Sequence, residues 1–170
     1  MDNEVLRRYA RLIAVKGGGI LPGQSVVITA GLDQPEFVLM LAEECYAAGA
    51  AEVEVDWGYP PLEKLALERE SVETLGAVKP WQERRLRYRA DTLPVMIYLE
   101  SDDPDGLAGA DHAKRARVQQ LRYKVTKPIR DEMENRYQWS IAAVPGLKWA
   151  RKVFPGLEDG EAVEALWRAI

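Results

Sequence analysis

The chain has 170 residues, room for one domain or at most one and a half, and its 47% hydrophobic and 29% charged residues exclude disorder as the default state. A net charge of −4 argues against a general nucleic-acid binder, which carries a basic surplus. One cysteine, Cys45, cannot form an internal disulfide, and one histidine, His112, without an HExxH or a CxxC, cannot supply a zinc peptidase centre, whose ion needs several converging side chains.

The start of the chain, Met1-Asp2-Asn3-Glu4, is acidic and polar, unlike a secretion signal. No run is long and apolar enough to span a bilayer. The expected setting is therefore cytoplasmic and reducing, with no membrane partner and no nucleic acid. Cys45, beside Ala42, Tyr46 and Ala47, reads as a small buried residue on a helix rather than a reactive thiol.

Val5, Leu6, Tyr9, Leu12 and Ile13 recur at helical spacing and predict a first helix over residues 4–15, broken by Gly17-Gly18-Gly19. A phosphate loop would follow a strand and open a helix; here the order is reversed, so the glycines read as a helix stop. After a turn at residues 21–24, residues 25–30 form a continuous β-rich run suited to a strand buried on both faces. Asp33 reads as an N-cap, with Pro35 in the first turn and Glu36 closing a capping box. The helix carries Phe37, Leu41, Cys45 and Ala48 to a stop at Gly49. A strand over residues 53–57 completes a βαβ unit with an expected right-handed crossover.

Pro60-Pro61 opens a charged helical stretch to residue 70, and a second runs over residues 80–89. The third strand covers residues 94–99. A long helix over residues 110–136 is expected to be interrupted at Pro128, because an interior proline removes a hydrogen bond. The fourth strand covers residues 139–144, and helices follow over 147–153 and from 159 to 167. This alternation predicts an α/β fold: an open, mainly parallel sheet of about four or more strands, with helices on both faces.

Four acids, Glu100, Asp102, Asp103 and Asp105, fall within seven residues after the third strand. Ligands of open α/β sheets sit beyond the carboxyl ends of strands, so a cation site there is geometrically possible. The ordinary reading is a turn and N-cap cluster, since Asp, Pro and Gly favour turns for backbone reasons. An EF-hand register fails, because it would end on His112 where a bidentate Glu is needed.

Between Lys114 and Arg130 the long helix carries seven cations and no acid, among them Arg122, Lys124 and Lys127. Val118, Leu121, Val125 and Ile129 give the same segment an apolar stripe. The plain reading is a helix with one face on the sheet and one in water; docking to a neighbouring domain or subunit is the rival. His112 reads as a surface or capping residue. No serine lies in a GxSxG elbow. Trp139, Trp149 and Trp167 read as core residues. Trp57 and Tyr59, past the second strand, are the better candidates for a ligand-facing rim.

Three blocks carry a family resemblance: residues 139–145 (WSIAAVP), 149–155 (WARKVFP) and 161–167 (EAVEALW). With Tyr9-Ala10-Arg11-Leu12, Leu21-Pro22-Gly23-Gln24 and residues 42–50 (AEECYAAGA), they make the whole chain similar to the amino-terminal domain of the aminopeptidase T and aminopeptidase S family of metallopeptidases. The resemblance implies an exopeptidase that removes amino-terminal residues from peptides with two divalent ions of the zinc, cobalt or magnesium class. It places the ligands in a carboxyl-terminal catalytic domain. Residues 1–170 are then expected to be a single α/β domain of a longer two-domain enzyme. That domain would bind no metal, contribute no catalytic residue and be inactive alone, while walling part of the substrate cleft. Its expected partners are the catalytic domain and the peptide substrate, with a second copy in a homodimer as a further option. Trp57, Tyr59, Asp102, Asp103, Asp105, Arg122, Lys124 and Lys127 are the candidate cleft-facing or partner-facing residues. The alternative is a stand-alone binding or dimerisation module.

Overall fold

In the computed structural model, which describes residues 2–101 and 103–170, the elements alternate largely as the periodicity predicts. Helix α1 (Asn3–Leu12) is capped by the Asp2 carboxylate, which accepts from the Glu4 amide at 3.1 Å. It runs directly into a π-helical turn (Ile13–Gly17) and ends at the glycines. Strand β1 (Ser25–Gly31), helix α2 (Pro35–Ala47) and strand β2 (Glu52–Gly58) form the βαβ unit. Then come α3 (Pro60–Arg69), the short α4 (Val72–Gly76), α5 (Pro80–Thr92) and β3 (Val95–Glu100). Helix α6 (His112–Met133), β4 (Trp139–Ala143), α7 (Leu147–Val153) and α8 (Asp159–Ala169) complete the chain.

The sheet is parallel throughout, in the order β2-β1-β3-β4, and flanked by helices. Chain contacts divide into two units. The first comprises residues 1–59, 94–104 and 138–170 and contains the whole sheet; the second comprises residues 60–93 and 105–137 and is helical.

In the first unit, one sheet face carries Val26, Ile28, Val95 and Ile97, all fully buried against Ala10, Ala14, Leu41 and Cys45 from the helices. Tyr9, Phe37 and Trp167 join α1, α2 and α8, with ring centroids 5.7–6.0 Å apart. The Tyr9 hydroxyl donates to the Ala143 carbonyl at 3.1 Å, tying α1 to the end of β4. Between α7 and α8, Ala150, Ala162 and Leu166 form a smaller cluster with Trp149 and Phe154.

The second unit has a much smaller core. Ala90, Ile129 and Met133 pack with Leu86, Leu93 and Tyr137 between α5 and α6. Side chains bonded to backbone carbonyls supplement it. Lys114 Nζ donates to the Leu67 carbonyl, and Lys64 Nζ to Ala108 at 2.7 Å. Gly76 lets α4 approach α6: a Cβ there would sit 2.9 Å from the Leu121 Cβ.

Three local expectations are corrected. Gln34, not Asp33, is the N-cap residue of α2: its carbonyl takes the first helical bond, from Val38 at 3.0 Å, while the Asp33 carboxylate is engaged elsewhere. Helix α6 is continuous through Pro128, whose lost bond would have ended on Lys124. Both residues are exposed, so water can serve that carbonyl. Trp139 is 58% exposed instead of buried, because β4 pairs on one side only and leaves it at the sheet edge.

Candidate functional site

The strand order fixes where a ligand site of this fold would lie. From β1 the chain crosses to β2 on one side, while β3 pairs with β1 on the other, so the switch in direction falls between the carboxyl ends of β1 and β3. At that position the first unit holds a polar cluster drawn from three strand ends. The Ser101 hydroxyl, 2% exposed just past β3, donates to Asp33 Oδ1 at 2.9 Å. The neighbouring Gln34 amide donates to Asp33 Oδ2 at 3.2 Å.

Two glycines make room for this carboxylate. A Cβ on Gly31, the last residue of β1, would meet Asp33 Oδ1 and lie 2.9 Å from Ser101 Oγ. A Cβ on Gly146, past β4, would meet Asp33 Oδ2 and lie 2.9 Å from the Ser101 carbonyl oxygen. The Asp33 carboxylate thus ties the loop after β1 to the one after β3, and the loop after β4 approaches both closely at Gly146. Farther out, Lys148 pairs with Asp103 at 3.0 Å.

Sequence reasoning missed this cluster. Asp33 matches a local capping pattern, and Ser101 stands in an acidic loop with no GxSxG elbow around it, so neither residue points to the other in the sequence. Once the order of β1 and β3 is known, the strand-end rule leads to both residues.

Trp57, near the end of β2, is 43% exposed and Tyr59, just past it, 53%, so both rings present apolar surface at the carboxyl end of the sheet. Asp102 lies outside the described residues. Asp103 is partly buried. Asp105 belongs to the second unit, where its carbonyl accepts from the Ala108 amide at 2.9 Å.

In that unit Arg122 turns inward. Its guanidinium donates to the carbonyls of Leu75 at 3.3 Å and Ala77 at 3.2 Å, and to the Gln82 side chain at 3.4 Å, holding the end of α4 and the start of α5 against α6. Lys127 pairs with Asp131 one turn on, and bonding to that carboxylate raises the lysine's pKa. Lys124 is exposed.

Nucleophilic and metal chemistry find little support. Burial pushes the Cys45 thiol up to about 12, with Glu44 adding to the shift, so it stays protonated at neutral pH. His112 is the exposed first residue of α6. Among the described residues, no three His, Cys, Asp or Glu side chains converge as a metal site. A pair of divalent ions does not fit a donor set in which Asp103 already faces the Lys148 ammonium and the imidazole stands alone. Among the described residues, no helix is long and apolar enough to cross a membrane.

A parallel sheet with a polar cluster at its switch point and exposed aromatic residues on the strand-end rim defines an open α/β domain. The model of the thermophilic metalloprotease family M29 matches residues 2–170, and the chain belongs to that family. It is 33% identical over 166 residues to aminopeptidase T of Thermus thermophilus, covering 97% of this chain and 41% of that protein. To aminopeptidase PepS of Streptococcus thermophilus it is 29% identical over 169 residues, covering 98% of this chain and 41% of that protein. The solved structure of wild-type AmpT from Thermus thermophilus superposes with a TM-score of 0.87 at 30% identity, over 98% of this chain and 42% of that one. The chain thus spans about two fifths of the length of these relatives.

Proposed function

We propose that this chain is the amino-terminal, non-catalytic domain of a metal-dependent aminopeptidase that removes amino-terminal residues from peptides in the cytoplasm. One observation carries the reading. The family match runs through residues 2–170, yet the described residues offer no converging set of metal ligands. On this reading the divalent ions and their ligands belong to a catalytic portion outside these residues, so no catalytic step is assigned to this chain.

Its own contribution is positional. Trp57 and Tyr59 would form apolar wall on the strand-end rim for peptide side chains. The Asp33–Ser101 pin would hold the loops after β1 and β3 in register beneath them. Asp102, Asp103, Asp105 and the cations Lys124 and Lys127 would face the cleft or the catalytic portion, whereas Arg122, bonded to the Leu75 and Ala77 carbonyls, would only brace its own unit. A homodimer of the complete enzyme is compatible with this arrangement.

Association provides the test. The chain is mixed with the separately produced remainder of a family aminopeptidase and passed over a sizing column. Co-elution, with altered peptide KM, is the expected result. No association, with KM and kcat of the catalytic portion unchanged, overturns the reading.

A further inference from the structure

The two edges of the sheet are built differently. Strand β2, at one edge, carries Glu52, Glu54 and Asp56 at alternate positions. Strand β4, at the other, reads Trp139-Ser140-Ile141-Ala142-Ala143 and has no charged residue and no proline. An unpaired strand edge is a template for pairing with another strand, and charged side chains are a common guard against it. Only the β2 edge carries that guard.

The ladder shows which backbone groups the β4 edge offers. The Met96 amide donates to the Gln138 carbonyl at 2.9 Å, and the Val144 amide donates to the Glu100 carbonyl at 2.8 Å. The register between them is parallel, with Met96 beside Trp139 and Glu100 beside Ala143. Even-numbered residues of β4 therefore turn their N–H and C=O toward β3, whereas Trp139, Ile141 and Ala143 turn theirs outward. The Tyr9 hydroxyl donates to the outward Ala143 carbonyl and marks the far end of the row. Among the described residues, nothing bonds to the outward groups of Trp139 and Ile141. Their side chains share one sheet face, and each is 58% exposed.

The sequence of the strand selects its occupant. A twofold axis at Ile141 sets β4 antiparallel to the β4 of a second copy. Ile141 then stands opposite Ile141 of the copy, Trp139 opposite its Ala143, and Ser140 opposite its Ala142. The outward groups meet as hydrogen-bonded pairs, in which two residues exchange both bonds. A carbonyl has two lone pairs, so Ala143 keeps Tyr9 while accepting from the copy. A large ring falls beside a methyl group, a branched side chain falls beside its like, and no like charges oppose each other. Pairing β4 with β2 of a copy would instead continue the sheet with Glu54 and Asp56 on the face of Trp139 and Ile141. That head-to-tail contact also leaves free edges and grows without closing, whereas the twofold contact closes.

We propose that β4 is a self-association edge, which joins two copies of this chain into one continuous sheet by antiparallel β4–β4 pairing centred on Ile141. The proposal concerns the contact of this chain with itself, so it stands or falls independently of the aminopeptidase reading.

The test is sedimentation velocity of the 170-residue chain from about 5 to about 500 µM, where mass action should reveal a reversible monomer–dimer equilibrium. Ile141→Lys sets two like charges opposite each other at the axis and should weaken the dimer by about ten-fold or more. Leu39→Lys, at a similarly exposed apolar position on α2, should leave it unchanged. Circular dichroism checks that both variants are folded. Residue-resolved hydrogen exchange locates the contact. On concentrating the protein, the amides of Trp139, Ile141 and Ala143 should gain protection, while those of Ser140 and Ala142, already turned to β3, should not change. A chain that stays monomeric at every concentration overturns the proposal. So does a dimer that Ile141→Lys leaves intact, that Leu39→Lys weakens equally, or in which the outward amides gain no protection. Protection of those amides in a monomer by an added, unrelated extended peptide would assign the edge to another protein and overturn the second copy.

Discussion

The two units achieve order by different means. In the sheet-containing unit, seventeen buried apolar residues form one continuous cluster, and polar contacts decorate its margins. In the helical unit only Ala90, Ile129 and Met133 form a buried cluster, and Arg122 and Lys114 reach across to backbone carbonyls of other segments. Burial is non-directional and cumulative, whereas a hydrogen bond contributes modestly when made and costs more when a buried partner is stranded. The first unit should therefore resist single substitutions at its surface and yield to cavities. The second should be sensitive to a few polar anchors.

The largest effect that would test this contrast is a cavity in the first core. Ile28→Ala, on the central strand β1 and fully buried, should cost about 2–5 kcal/mol, read as a lower urea midpoint by circular dichroism. A loss under about 1 kcal/mol would mean that the sheet is not the dominant core.

Next is the anchor in the second unit. Arg122→Met keeps much of the packing but removes the charged donor from the half-buried Leu75 carbonyl and the exposed Ala77 carbonyl, at about 1–3 kcal/mol. Hydrogen exchange should localise the damage, accelerating amides of α4 and the start of α5 while β1 and β3 stay protected. Uniform acceleration would erase the distinction between the units.

A smaller effect is expected at the strand-end cluster. Gly146→Ala places a Cβ against the Asp33 carboxylate and 2.9 Å from the Ser101 carbonyl oxygen, so backbone and side chain must both shift. The expected cost is about 1–2 kcal/mol, at the lower end for overpacking, because Asp33 has solvent to move into. The check is the urea midpoint, together with loss of nuclear magnetic resonance shifts at Ser101.

The effect that is smallest at neutral pH, where it vanishes, and emerges only in alkali concerns Cys45. The folded Cys45 thiol titrates near 12, above its ordinary 9.0. As pH rises beyond 9, the unfolded chain releases that proton while the folded chain retains it, so this group's contribution to stability falls between pH 9 and 12. Cys45→Ala should flatten that part of the stability profile, and at pH 8 a thiol reagent should react with wild type only after unfolding.

Much of the first unit was legible in the sequence. Continuous apolar runs at residues 25–30 and 94–99 announce buried parallel strands, and the Pro35-to-Gly49 interval bounds its helix chemically. The family-like blocks near the end of the chain fold as β4, α7 and α8, and Trp167 from the last of them packs on Tyr9 and Phe37. The second unit was not legible as a unit, because it is assembled from two separated stretches, residues 60–93 and 105–137. Helix α4 is too short to show a period, and its role depends on Gly76 meeting Leu121, 45 positions away. The candidate site was hidden for a related reason. Asp33 and Ser101 are 68 residues apart, and only the pairing of β1 with β3 brings them together.

The most direct measurement is amino-acid release from a short peptide by the purified 170-residue chain, with cobalt, zinc or magnesium added and contaminating peptidases excluded. A supporting domain without converging ligands should release nothing above the metal-only blank. Sustained release proportional to protein concentration, abolished by chelator and restored by metal, would place a working centre within these residues and contradict the account.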